Sequence, residues 1–146
     1  MPNSTKEIKV AATSQQVWSF LIDVDQWAPL IPGYIEHEKS NDQQFKWKFR
    51  ADLGVIQKNI VMQVDITEQA EHSKVAFTLE GLNENLEGNG SFQVEDAIDA
   101  TSLIGYLDIT GKGMMGSVMN SMMKTYVPET VNALTDAISE KISQTE

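Results

Sequence analysis

From residue 44 onward, apolar and polar side chains alternate one for one. In QFKWKFRAD, Phe45, Trp47, Phe49 and Ala51 share one parity, and Lys46, Lys48, Arg50 and Asp52 take the other. Successive side chains of a strand point to opposite faces, so this segment predicts a strand with one buried face and one wetted face, as in an antiparallel sheet. The buried parity continues through Ile56, Ile60, Met62, Val64 and Ile66. It resumes at Val75, Phe77 and Leu79, at Phe92 and Val94, and at Leu103, Leu107 and Ile109. Turn residues separate these runs at Asn41-Asp42, Leu53-Gly54, Glu71-His72-Ser73, the stretch from Gly81 to Gly90, and Asp96 to Asp99. Residues 6–11, KEIKVA, alternate in the same way and bring the predicted strands to seven.

Two other parts of the chain follow a helical period. Thr13 with Gln16 three positions later forms a capping box, and Val17, Trp18 and Leu21 follow at helical spacing. A second short helix is predicted from Asp25 to Leu30, closed by Pro32-Gly33. After Gly111-Lys112-Gly113 one apolar stripe runs through Met115, Val118/Met119, Met122/Met123, Tyr126/Val127, Val131, Leu134, Ala137/Ile138 and Ile142. Asn120, Lys124, Asn132, Asp136 and Glu140 fall mainly on the opposite side. Pro128 lies inside this helix and cannot bond the carbonyl of Lys124, which predicts a kink.

The order is therefore strand, two short helices, six strands and one long helix, with no repeat or linker. Each strand has a single apolar face, and only the long helix can cover it. The expected architecture is α+β: one domain over residues 1–146 in which a curved seven-stranded antiparallel sheet grips the C-terminal helix. Gly88, Gly90 and Gly105 share the inward parity, where they either ease curvature or open a void.

Composition narrows the function. At 146 residues, 41% hydrophobic and 22% charged, the chain suits one globular domain. A net charge of −10 argues against nucleic acid as a partner and against adsorption to anionic lipid. The absence of cysteine excludes disulfides, thiolate metal sites and a cysteine nucleophile. The N-terminus lacks the apolar segment of a signal peptide, and no run of about 18 apolar residues could span a membrane. A cytoplasmic location is the expectation, and the Asn-x-Ser/Thr triplets at Asn3 and Asn89 carry no weight.

Candidate chemistry is sparse. Five of the seven methionines fall in GMMGSVMNSMMK, residues 113–124. Methionine is flexible and polarizable, so such a cluster serves either as adaptable core or as the wall of a pocket for a soft apolar molecule. Tyr126 lies on the inward stripe and is the best single polar group for orienting a ligand, whereas Tyr106 has outward parity. Lys58 shares the inward parity: it is either a desolvated base or carboxylate-binding group, or a rim residue displaced by a bulge near Gly54 or by snorkelling. His37 shares a face with Ile35, its neighbours Glu36 and Glu38 point the other way, and His72 sits in a turn, so no metal site is expected. Gly111-Lys112-Gly113 lacks the spacing of a phosphate loop, and no Ser-His-Asp order exists. No cofactor is expected.

At this point the chain resembles a known family. The segments VWSFLIDVDQWAPLIPG (17–33), IVMQVDITE (60–68), VAFTLEG (75–81), GSFQVED (90–96) and ITGKGMMG (109–116) are similar to the carbon monoxide dehydrogenase CoxG family of the START/Bet v 1-like helix-grip superfamily. The resemblance implies a deep apolar cavity between sheet and helix, small hydrophobic ligands, and an accessory role toward a molybdenum-hydroxylase-type protein partner. It also places Trp27, Pro29, Ile31 and Pro32 at the cavity mouth, where Trp27 is either a gate or a buried anchor. Some family members carry a membrane-associating C-terminal extension; this sequence stops at SEKISQTE, so recruitment by that route is not expected.

The expected cavity residues are Trp27, Ile31, Phe45, Trp47, Phe49, Ile60, Met62, Phe77, Leu79, Phe92, Leu107, Met115, Met119, Met122 and Tyr126, with Lys58 and His37 as candidate polar groups. Three functions compete. A non-catalytic carrier of a lipid, quinone or polyketide-like molecule requires a hollow apolar cavity. A cyclase or lyase requires an acid or base inside it, and an assembly factor acting through protein contacts would tolerate a filled one.

Overall fold

The computed structural model describes residues 3–54 and 56–144. Strand β1 (Asn3–Val10) leads into helix α1 (Ser14–Leu21), helix α2 (Val24–Trp27) and a 3-10 turn (Ala28–Leu30). Six strands follow: β2 (Tyr34–Asn41), β3 (Gln44–Asp52), β4 (Gln57–Ala70), β5 (Lys74–Gly81), β6 (Leu86–Ala97) and β7 (Ala100–Gly111). Helix α3 (Gly116–Gln144) closes the chain.

The capping box forms as the sequence requires. Gln16 N donates to Thr13 Oγ1 at 3.1 Å, and Thr13 N donates to Gln16 Oε1 at 2.7 Å. The single second helix expected from Asp25 to Leu30 is instead divided. Asp23 caps α2 by accepting from Asp25 N at 3.1 Å, and Pro29, which has no N–H to bond the carbonyl of Asp25, tightens the chain into the 3-10 turn.

The seven strands form one antiparallel sheet in the order β1-β7-β6-β5-β4-β3-β2. It is a meander from β2 to β7, with β1 added at the free edge of β7. Parity holds across it: Phe45, Trp47 and Phe49 lie opposite Val64, Met62 and Ile60, and all six are buried. Lys46, between them, is exposed. Ile56 departs from the expected pattern, because β4 begins at Gln57 and leaves Ile56 exposed.

Helix α3 lies across β1 and β7. Its buried face runs through Met123, Tyr126, Val127, Val131, Leu134, Ile138 and Ile142, the expected stripe, and the helix continues through Pro128. The inward glycines open no void. A Cβ on Gly90 would come within 2.6 Å of the Phe77 ring, and one on Gly105 would collide with the Thr135 hydroxyl of α3. The missing side chains thus let a ring and a helix approach the sheet closely.

The other half of the grip is filled from the α2 side. Trp27 is completely buried, with the ring centroids of Phe45, Trp47, Phe77 and Phe92 at 5.9, 5.5, 5.6 and 5.2 Å. Both indoles are satisfied: Trp27 Nε1 donates to the carbonyl of Leu21 and Trp47 Nε1 to that of Ala28, each at 2.9 Å. Trp27 is therefore an anchor that pins the short helices onto the sheet rather than a gate.

Candidate ligand-binding site

Between the sheet and α3 lies an apolar cavity. The sheet contributes Trp47, Phe49, Met62, Phe77, Leu79, Phe92, Leu107 and Ile109, while the 3-10 turn leads to Ile31 at one side. Helix α3 contributes Tyr126, Thr130, Val131 and Leu134, and Tyr106 borders the space from a strand position of outward parity. The room available to the centre of a water-sized sphere is about 20 Å³. That admits about one water, so the aromatic rings nearly fill the space.

Several expected wall residues are elsewhere. Trp27, Phe45 and Ile60 are buried in the aromatic core without reaching the cavity. The methionines are displaced more strongly. Met115 precedes α3 and is 66% exposed, Met119 packs over Gly111, and Met122 faces an outer groove. Met123 occupies the core instead and is fully buried. Adjacent helical positions differ by about 100° around the axis, so the paired positions Met122 and Met123 could not both face the sheet. Val131 and Leu134 were visible on the stripe and Ile109 on the sheet parity. Thr130 carried no apolar signal.

The two candidate polar groups also stand outside the cavity. Lys58 pairs with Ala51 and so keeps inward parity, but it sits at the end of the sheet and reaches out to Glu84 Oε2 at 3.2 Å. His37 does not share the face of Ile35. A bulge between Tyr34 and Glu36 shifts the register, placing His37 opposite Trp47 and leaving Ile35 exposed. His37 then joins Tyr34 Oη to Nδ1 and Asp25 Oδ1 to Nε2, both at 2.7 Å. Lys39 approaches the other Asp25 oxygen at 3.6 Å. The hydrogen bond from His37 holds the Asp25 carboxyl below its usual range, against a partial opposing effect of desolvation. This clasp ties the edge strand to α2, the segment that carries Trp27.

The polar character of the cavity rests on α3. Tyr126 is 6% exposed, and its hydroxyl has no hydrogen-bond partner. Burial pushes its phenol up to about 12; the Thr130 hydroxyl one turn away pulls the other way without making a bond of ordinary geometry. Tyr126 also walls two solvent-open grooves. One runs between the β3–β4 turn and the start of α3, past Asp52, Leu53, Ser121 and Met122, and offers about 910 Å³. The other passes Pro32, Gly33, Arg50 and Ala133.

Among the described residues, no three or more His, Asp or Glu side chains gather as a metal site. Gly111-Lys112-Gly113 ends a hairpin, with Lys112 N donating to the Asn85 carbonyl at 2.9 Å and Gly113 at φ +72°. No helix among these residues is long and apolar enough to cross a membrane.

An antiparallel seven-stranded sheet, two short helices after the first strand and one long helix closing over an apolar cavity make up a helix-grip fold. Solved structures share this fold. A conserved protein from Geobacillus kaustophilus has a TM-score of 0.77 at 15% identity, over 98% of this chain and 96% of that one. A START superfamily protein from Mycobacterium smegmatis gives 0.72 at 22%, over 99% of both chains. Zhui aromatase/cyclase from Streptomyces sp. R1128 gives 0.70 at 15%, over 97% and 93%. The chain belongs to the carbon monoxide dehydrogenase CoxG family, whose model matches residues 7–143. No curated protein matches it by sequence.

Proposed function

We propose that this protein is a non-catalytic carrier that holds a small hydrophobic molecule, of lipid, quinone or polyketide-like character, between the sheet and α3. The proposal includes a cytoplasmic location and an accessory role toward a carbon monoxide dehydrogenase-type enzyme of the molybdenum-hydroxylase class, and membership of the family supports the accessory role. The observation that carries the reading is the composition of the cavity wall: aromatic and aliphatic side chains from five strands and one helix, with Tyr126 and Thr130 as its buried polar residues. Such a wall gains affinity by excluding water and uses few polar groups for orientation.

The small volume of the cavity is consistent with a carrier whose walls part around its ligand. An apolar void costs roughly 24 cal/mol per Å³, so one of about 300 Å³ would cost roughly 7 kcal/mol, comparable to the whole stability of a domain. A grip without ligand therefore closes on itself, and the ligand opens it.

The cyclase or lyase reading is less well supported. His37 and Lys58 are held by Asp25 and Glu84 outside the cavity, and Tyr126 stays protonated far above neutral pH. The nearly filled cavity favours one second reading, an assembly factor acting through protein contacts. Native mass spectrometry of freshly purified protein separates the two. The carrier reading expects an apolar molecule that stays bound in the gas phase and is lost on solvent extraction. A bare chain that also fails to bind any apolar probe would leave the assembly role.

A further inference from the structure

We propose that Tyr126 is both the gate of the cavity and its recognition group, and that it selects an uncharged apolar molecule bearing a hydrogen-bond acceptor such as a carbonyl oxygen. The inference rests on the carrier reading and specifies which ligands that cavity takes.

The gate follows from position. Helix α3 packs on β1 and β7, at one end of the strand order, while β3 and its turn face α3 across open grooves. Tyr126 borders both grooves and also the inner cavity. One side chain thus stands between about 20 Å³ inside and about 910 Å³ outside. Rotating it into the groove joins the two spaces without moving the sheet.

Recognition follows from the unpaired hydroxyl. A buried donor without a partner is rare, because the lost hydration is not replaced. A neutral phenol can donate as well as accept, and an acceptor on the ligand would complete the unmade bond of its O–H. The surroundings disfavour an anion. Among the described residues, no lysine, arginine or histidine lines the cavity, and Asp52 and Glu129 stand at the seam. The Arg50 guanidinium is engaged by Gln57 at 3.0 Å and Asn59 at 3.2 Å. A carboxylate would therefore be buried unpaired, which is costly.

Calorimetric titration of the full chain with 2-acetylnaphthalene, 2-ethylnaphthalene and 2-naphthoate tests this. The three are close in size and carry a neutral acceptor, no acceptor and an anion. The acetyl compound is expected to bind about 3- to 10-fold more tightly than the ethyl compound, with naphthoate weakest. Tyr126→Phe should bring the acetyl and ethyl affinities together and melt at the same or a higher temperature, since it deletes an unmade hydrogen bond. Tyr126→Ala should speed association of both in stopped-flow mixing.

Equal binding of the acetyl and ethyl compounds by the natural protein would overturn the recognition role, as would a preference that survives in Tyr126→Phe or tightest binding of naphthoate. Unchanged association in a folded Tyr126→Ala would overturn the gate. In each of those cases the carrier reading stands. Failure of all three compounds to bind, with no co-purified molecule, would remove the carrier reading and this inference together. The comparison of the natural protein with Tyr126→Phe decides recognition even if Tyr126→Ala does not fold.

Discussion

Burial of one phenol makes stability depend on alkaline pH. Tyr126 has its pKa raised from 10 to about 12, so the folded state keeps a proton that the unfolded chain loses above pH 10. The contribution is complete below pH 10 and disappears as pH rises toward 12, and the shift corresponds to about 3 kcal/mol. Denaturant midpoints measured from pH 9 to 12 should fall steeply for the natural protein, and less so for Tyr126→Phe. The methionines divide by placement. Met123→Ala should cost about 2–5 kcal/mol as a core truncation, whereas Met115→Ala, at a 66% exposed position, should change the melting temperature little. The sequence pointed to Met115, Met119 and Met122 as the inward methionines, whereas Met123 is the one that is fully buried. Hydrophobicity is the same for Met122 and Met123, and the choice depends on the phase of a helix that begins at Gly116, one residue after Met115.

Between elements, small residues decide how closely α3 approaches the sheet. Gly105→Ala sets a methyl against the Thr135 hydroxyl and should cost about 1–3 kcal/mol. Thr135→Ala removes that obstacle, so the double variant should be more stable than the sum of the single effects, and chemical denaturation of the four proteins measures the coupling. The clasp from β2 to α2 provides a second test. Asp25→Ala should lower stability by about 0.5–1 kcal/mol near neutral pH, the range of a partly exposed pair. Because the Asp25 carboxyl is held below 3.8, the difference from the natural protein should persist above that pH and shrink as pH falls below it. Alternation along β3, β4 and β5 was readable from Phe45, Met62 and Phe77 because one face of each strand is dry. The clasp was not, since the bulge beside Ile35 inverts parity and leaves no mark in the local pattern. Gly90 and Gly105 were legible as special positions, but only the packed structure shows Phe77 and Thr135 occupying the space above them.

Across the molecule, the sheet and α3 form a grip whose interior is apolar and nearly closed, and an apolar ligand is expected to open it from within. Composition and order of elements made the helix-grip architecture readable. The size of the interior was not, because it depends on how far the Phe77 ring leans over Gly90 and on where Tyr126 rests. Methyl NMR of the protein labelled at its methionine methyls reads the interior directly, with the Met62 signal assigned through Met62→Leu. Met62 lines the cavity, whereas Met114 is fully exposed and Met115 largely so. Titration with 2-acetylnaphthalene should shift the Met62 methyl saturably, through the ring current of a ligand lodged between sheet and helix, and leave the Met114 and Met115 methyls unmoved. A Met62 signal that stays fixed while only Met114, Met115 or Met122 respond would place the ligand on the surface and contradict a grip opened from within.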